Sequence, residues 1–302
     1  AAIACKSPFG IQAFVIAPCD GHNRINRELV YYIRLDGETM IIDVHTHIFP
    51  DLIAEKAAQN IGIFYELPME NDGRLQTMLE AEREAGVDRI VVCSAATTAS
   101  QTAHINDYIA EVVAAHPGLL YGFGAMNQDT PDKGNEVRRI RGLGLKGVKI
   151  HPDIQRVAMN DPRFDDLYEA LQEMDLVLMC HTGDTRYHNS NPPQLEDVLQ
   201  RFPRLRVIGA HLGYWSNWSE GADRLTGYDN LWVDCSSSLY AMSPGEARRV
   251  IRAYGADRVL FGSDFPMWTA ATEMERLKAL KLTETEMEKI LGANAAALLD
   301  IS

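Results

Sequence analysis

The sequence predicts an α/β fold, a (β/α)8 TIM barrel. Three observations predict it. Eight apolar runs of strand length recur between residues 41 and 261. Stretches with helical periodicity lie between them. Histidine, lysine or aspartate then stands just past the end of several runs, which is where barrels of this kind carry their reactive groups.

The runs are residues 41–44, 89–93, 119–125, 146–150, 176–180, 206–210, 231–234 and 258–261. Several are continuous Val/Ile/Leu, as strands covered on both faces should be. Residues 74–85 and 102–115 carry apolar residues on one side and polar residues on the other. Asn160-Asp161-Pro162 opens a helix over 163–174, with proline in its first turn. Ser243-Pro244-Gly245-Glu246 is a capping box before a helix that Gly255 stops. Thr283 and Glu286 form a further box ahead of the C-terminal helices. Residues 50–73 are the longest insertion, with a short helix at 51–60 followed by 61–65. A long loop after a barrel strand builds the active face, so this insertion is a lid candidate. An open doubly wound sheet would need a phosphate loop or dinucleotide fingerprint after its first strand, and none is present.

Length and composition bound the rest. The chain has 302 residues, 46% hydrophobic and 24% charged, enough for one barrel domain over residues 40–302 with a core that needs no disulfides. Residues 1–39 show no clean period and read as an N-terminal extension. Met40 stands directly before the first strand and reads as the natural start; the other reading is an extension that plugs one end of the barrel. The net charge of −13 weighs against a nucleic-acid or anionic-membrane partner. No apolar run approaches the length of a membrane span. The five cysteines include no Cys-x-x-Cys, and three lie in apolar runs as expected of buried free thiols. A reducing cytoplasm is the expected location.

The strand ends carry the chemistry. His45 and His47 follow the first run, and as i and i+2 neighbours they leave one face of the strand. Lys149 and His151 repeat that spacing at the fourth run. His181 follows the fifth in Cys-His-Thr-Gly, His211 the sixth in Ala-His-Leu-Gly, and Asp264 the eighth in Phe-Gly-Ser-Asp-Phe-Pro. Core packing does not account for such regularity. Imidazole and carboxylate together are a ligand set for Zn²⁺ or a similar divalent ion, which can lower the pKa of a bound water to about 7. The loops beyond add Arg186, Tyr187, Tyr214, Trp215, Trp218 and Trp268. Aromatic walls around a few polar groups suit a small organic ligand, and Arg186 could clamp a carboxylate. Trp218 reads equally as packing or interface. His104, His116 and His188 show no site logic.

The chain resembles the amidohydrolase superfamily, more narrowly the group that includes aminocarboxymuconate-semialdehyde decarboxylase and the resorcylate decarboxylases. The resemblance rests on residues 43–50 (Asp-Val-His-Thr-His-Ile-Phe-Pro), Cys180-His181-Thr182-Gly183, Ala210-His211-Leu212-Gly213, residues 261–266 and Gly292-Ala293-Asn294. It implies that His45, His47 and His181 bind the metal, with Asp264 as a further ligand or as the acid/base beside it, and His211 as an acid/base or as a ligand of a second metal. It implies one ion, most simply Zn²⁺, or two if Lys149 is carboxylated; otherwise Lys149 grips a substrate carbonyl or carboxylate. His151, Arg186, Tyr187, Tyr214, Trp215 and Trp268 would line the substrate mouth. A homodimer is also implied. The favoured activity is hydrolysis of a small lactone, amide or ester by metal-activated water. Nonoxidative decarboxylation of a small unsaturated or aromatic acid is the alternative.

Overall fold

The structure is a computed structural model that describes residues 39–302, together with the backbone of three short antiparallel strands, Cys5–Lys6, Ile11–Val15 and Val30–Arg34. The reading of residues 1–39 as leader or plug lies outside the described side chains.

The barrel strands are β1 (Ile42–His47), β2 (Arg89–Cys93), β3 (Leu120–Ala125), β4 (Gly147–Ile150), β5 (Val177–Cys180), β6 (Arg206–Gly209), β7 (Leu231–Asp234) and β8 (Val259–Leu260). They pair in parallel and in sequence order. The first and last strands close the ring: Val44 N–H donates to Phe261 O (3.0 Å), and Asp264 N–H to His45 O (2.8 Å). The eight sequence runs all fall on these strands, within a few residues at either end.

Strand register decides what faces the interior. Across neighbouring strands His47 pairs with Cys93, Ala125 with Lys149, Lys149 with Met179, Met179 with Ile208, and Ile208 with Trp232. Register partners share a face, so these residues form a band around the barrel's inside. Below the site the interior is apolar: Val91, Phe123, Val177, Met179, Ile208 and Leu260 form one buried cluster. Met40 and the C-terminal residues Leu298, Leu299 and Ile301 join that cluster. The alternate strand residues, such as Val92, Val148, Leu178 and Val207, pack under the outer helices in a larger core.

The outer helices in chain order are α1 (Asp51–Tyr65), α2 (Leu75–Ala85), α3 (Thr102–Ala115), α4 (Lys133–Gly142), α5 (Pro152–Gln155), α6 (Asp165–Met174), α7 (Pro192–Arg201), α8 (Trp218–Leu225), α9 (Pro244–Tyr254) and α10 (Ala270–Ala279). Their caps follow the sequence signals. Ser243 Oγ accepts from Glu246 N–H, and Thr283 and Glu286 exchange both bonds of their box. Pro162 opens a 3-10 turn that leads into α6 rather than the helix itself. No described helix is long and apolar enough to cross a membrane.

The lid candidate differs most from expectation. A break was expected at residue 60, yet α1 runs unbroken to Tyr65. Ala54, Ala58, Gly62 and Tyr65 are its buried residues, and that spacing keeps one helix face inward to the end. A side chain at Gly62 would collide with Leu67 O and Met69, so glycine there lets the next segment fold back against the helix. Glu66, at φ 58°, ends the helix.

Candidate active site

The C-terminal ends of the strands deliver buried polar groups to one place. His45 stands at its centre. Its Nδ1 lies 3.0 Å from Asp234 Oδ2 and 3.1 Å from Ser236 Oγ, so Nδ1–H has an anionic acceptor and Nε2 keeps its lone pair inward. Around that Nε2 lie Lys149 Nζ at 2.8 Å, His47 Nε2 at 3.1 Å and Asp264 Oδ1 at 3.5 Å. Asp264 Oδ1 is also 3.5 Å from His47 Nε2.

His181 and His211 are oriented by the same device. His211 Nδ1 lies 3.1 Å from Ser236 O, and His181 Nε2 lies 2.9 Å from Gly183 O. A carbonyl only accepts, so the proton sits on those nitrogens and the opposite ones carry lone pairs. Gly183 makes this reach feasible: its φ is 84°, and a side chain there would collide with the Trp215 and Tyr214 backbone. Burial, the largest cause, holds the imidazoles of His45, His47, His151 and His181 well below their ordinary pKa, and brings His211 down to about 4. All five are therefore neutral near pH 7. Burial also raises Asp264 to about 7 against the opposing Ser237 hydrogen bond and Lys149 charge.

This donor set fits a divalent ion. Among the described residues, two groups offer ligand atoms within 4.8 Å of one another: His45, His211 and Asp264, and His45, His47 and Cys93. The Cys93 thiol is pushed up to about 12 by burial, so the nitrogen and carboxylate donors are the readier ligands. His181 is not in either group. Its Nδ1 faces the hydroxyl of Tyr65 at 3.2 Å, and its ring stacks on His151 with centroids 4.1 Å apart.

A cavity of about 560 Å³ opens over the cluster. His47, Lys149, His151, His181, His211 and Asp264 lie at its polar end. Its walls are apolar and come chiefly from α1 and α3, including Ile53, Ile61, Phe64, Tyr65 and Tyr108. Residues of the 50–73 insertion thus form part of the cavity wall, and aromatic residues do line the mouth, but from different loops than expected. Arg186, Tyr187, Tyr214, Trp215 and Trp268, expected at the mouth, do not line this cavity. Arg186 is committed to Asp184 (Nη2–Oδ2 2.8 Å), so its guanidinium has an internal carboxylate in place of a substrate's. Tyr187 stacks under Phe64, and Trp268 Nε1–H donates to Ser237 Oγ at 3.1 Å. His104, which showed no site logic, lines the cavity from α3.

Sequence reasoning placed the seventh strand but missed the functional side chains at its end. Asp234 braces His45, Ser236 Oγ stands between His45 and His211, and Ser237 Oγ donates to Asp264 Oδ2 at 2.6 Å. The signal was there: the run 231–234 ends in Asp-Cys-Ser-Ser-Ser, a polar strand end like the others.

The sequence profile of the amidohydrolase family matches residues 42–301, the whole barrel. The chain belongs to the amidohydrolase family. Among curated relatives, 2-amino-3-carboxymuconate-6-semialdehyde decarboxylase of Dictyostelium discoideum is 24% identical over 240 residues, 66% of each chain. The γ-resorcylate decarboxylase of a Polaromonas strain is 22% identical over 261 residues, 68% of this chain and 78% of its own. Among solved structures, a manganese-bound dihydroxybenzoic acid decarboxylase from Polaromonas superposes with a TM-score of 0.66 at 16% identity, covering 87% of this chain and 97% of its own. This amidohydrolase is thus an enzyme of that family, and its own His/Asp cluster could hold a divalent ion.

Proposed function

We propose that this amidohydrolase is a metal-dependent, nonoxidative decarboxylase of a small aromatic or unsaturated carboxylic acid. Hydrolysis, favoured from the sequence, is the weaker reading, because the curated relatives that span two-thirds of the chain are named as decarboxylases. The observation that carries the proposal is Lys149. Its ammonium is buried at the polar end of an apolar cavity, beside the His/Asp cluster, where a carboxylate on an apolar body would sit.

His45, His47 and His181 would hold the ion, with His211 at its side and Asp264 as the acid beside it. When bound, the ion supplies positive charge for substrate oxygens. The chain's own residues do the remainder. Lys149 holds the leaving carboxylate close to the cluster, and the walls from α1 and α3 exclude water around the ring. Breaking the carbon–carbon bond leaves its electron pair on the ring carbon and releases CO2. That carbon takes a proton from Asp264 Oδ1, the oxygen facing the cluster, because Oδ2 is engaged by Ser237. The carboxyl then regains a proton from solvent. His211, neutral near pH 7, serves as a hydrogen-bond acceptor beside it.

The test is a panel of aromatic and unsaturated carboxylic acids and of lactones, offered to metal-loaded enzyme. Stoichiometric CO2 with loss of the carboxyl group is expected. Water uptake into a ring-opened lactone, with no CO2 from any acid, would reject the proposal.

A further inference from the structure

We propose that Tyr65, carried into the site at the end of α1, is the residue through which the lid touches substrate: its hydroxyl donates a hydrogen bond to an oxygen of the bound acid. This rests on the reading of the cavity as a carboxylic-acid site.

The direction of two hydrogen bonds carries the inference. Ile154 N–H donates to His151 Nδ1 at 3.4 Å, so the proton of that neutral ring is on Nε2. His151 Nε2 lies 2.6 Å from the Tyr65 oxygen and donates to it. The phenol proton is then free to point the other way, toward His181 Nδ1 at 3.2 Å, which carries a lone pair because His181 Nε2–H is held by Gly183 O. His181 is also a proposed metal ligand. Once that lone pair is given to an ion, the phenol proton needs another acceptor, because a buried donor left without one is destabilising. Tyr65 lines the cavity, and an oxygen of the substrate is the acceptor the cavity receives.

The end of α1 is anchored well enough to hold such a donor in place. Arg186 Nη2 donates to Phe64 O at 3.0 Å, the Phe64 ring stacks on Tyr187 at 5.3 Å, and the Tyr65 ring meets Trp215 edge-on at 5.2 Å. Those anchors lie on the loops after β5 and β6. The other end of the helix is open to solvent, with Leu52 96% exposed. Among the described residues the hydroxyl, by contrast, is bonded to two imidazoles of the site and to no backbone group, which is unlike a tyrosine used only for packing.

The test compares wild type with Tyr65→Phe, which keeps the ring and its packing. Both proteins are loaded with Mn²⁺, and benzoate binding is measured by calorimetry. Benzoate is expected to bind about tenfold more weakly to the variant, the loss of one good hydrogen bond, with metal content and melting temperature close to wild type. His151→Gln, which keeps the hydroxyl but alters its support, is expected to give a smaller loss. Equal benzoate affinity in wild type and Tyr65→Phe would overturn the proposal, and so would loss of the metal from the variant, which would make Tyr65 a ligand. Failure of the decarboxylase reading would appear separately, as no CO2 from wild type in the panel assay.

Discussion

The ammonium of Lys149 lies 2.8 Å from Nε2 of His45, with both side chains buried inside the barrel. This places the lysine nitrogen against the cluster, where on the proposed reading it grips the substrate beside one ion. Lys149→Met should therefore keep about one equivalent of metal while benzoate affinity falls by about tenfold or more, as loss of a charge-assisted bond implies. Bicarbonate added during metal loading should leave the wild-type stoichiometry at one. Two ions per chain in bicarbonate, falling to one in Lys149→Met, would show a carboxylated bridging lysine.

Much of this site was legible in the sequence because strand position is a strong constraint. Once the runs are recognised, His45, His181, His211 and Asp264 are placed at neighbouring strand ends by the fold alone. The loops are another matter. Arg186 looked like a carboxylate clamp because its sequence position is right, but Asp184, two residues earlier, takes the guanidinium. Tyr65 could not be found by periodicity, since its role depends on where the far end of α1 lands. His104 likewise reaches the cavity from a helix, so it escapes a search confined to strand ends.

Asp234 should matter to metal binding although it is no proposed ligand. Its Oδ2 accepts from His45 Nδ1–H at 3.0 Å, and its Oδ1 accepts from the backbone N–H of Ser236 (3.0 Å) and of His211 (3.2 Å). It therefore fixes the tautomer of one ligand and the loop that carries His211. Asp234→Asn should weaken metal affinity about 10–100-fold, measured by competition with a chelator. His45→Ala with His47→Ala should lose the metal outright. Unchanged metal content in the double variant would refute the site.

Ser237 is the corresponding support for Asp264. Trp268 Nε1–H donates to Ser237 Oγ, which donates to Asp264 Oδ2, so the carboxyl is held with Oδ1 toward the imidazoles. Ser237→Ala should free that carboxyl to rotate and lower kcat by about tenfold, with KM little changed, since the proton donor is misplaced only for the chemical step. Trp268→Phe should act in the same direction more weakly. An effect confined to KM would place Ser237 in substrate binding instead.

The least comfortable residue lies outside the site. Glu82 on α2 is fully buried, and among the described residues neither of its carboxylate oxygens has a hydrogen-bond partner. Burial raises its pKa well above the ordinary value, and the nearby Asp43 raises it further. A group whose folded pKa lies above its unfolded value contributes stability fully below the unfolded pKa, and loses that contribution as pH rises through the folded one. The stabilising effect of Glu82→Met should accordingly be small near pH 4 and grow with pH, reaching about 1–3 kcal/mol by pH 8, as expected when an unpaired buried carboxyl gives way to an apolar chain of similar length. Thermal melts across that range, on metal-stripped protein, measure it. A gain that is constant or shrinks with rising pH would mean that Glu82 is paired in solution, and its ionised form would then be part of what holds α2 against the barrel.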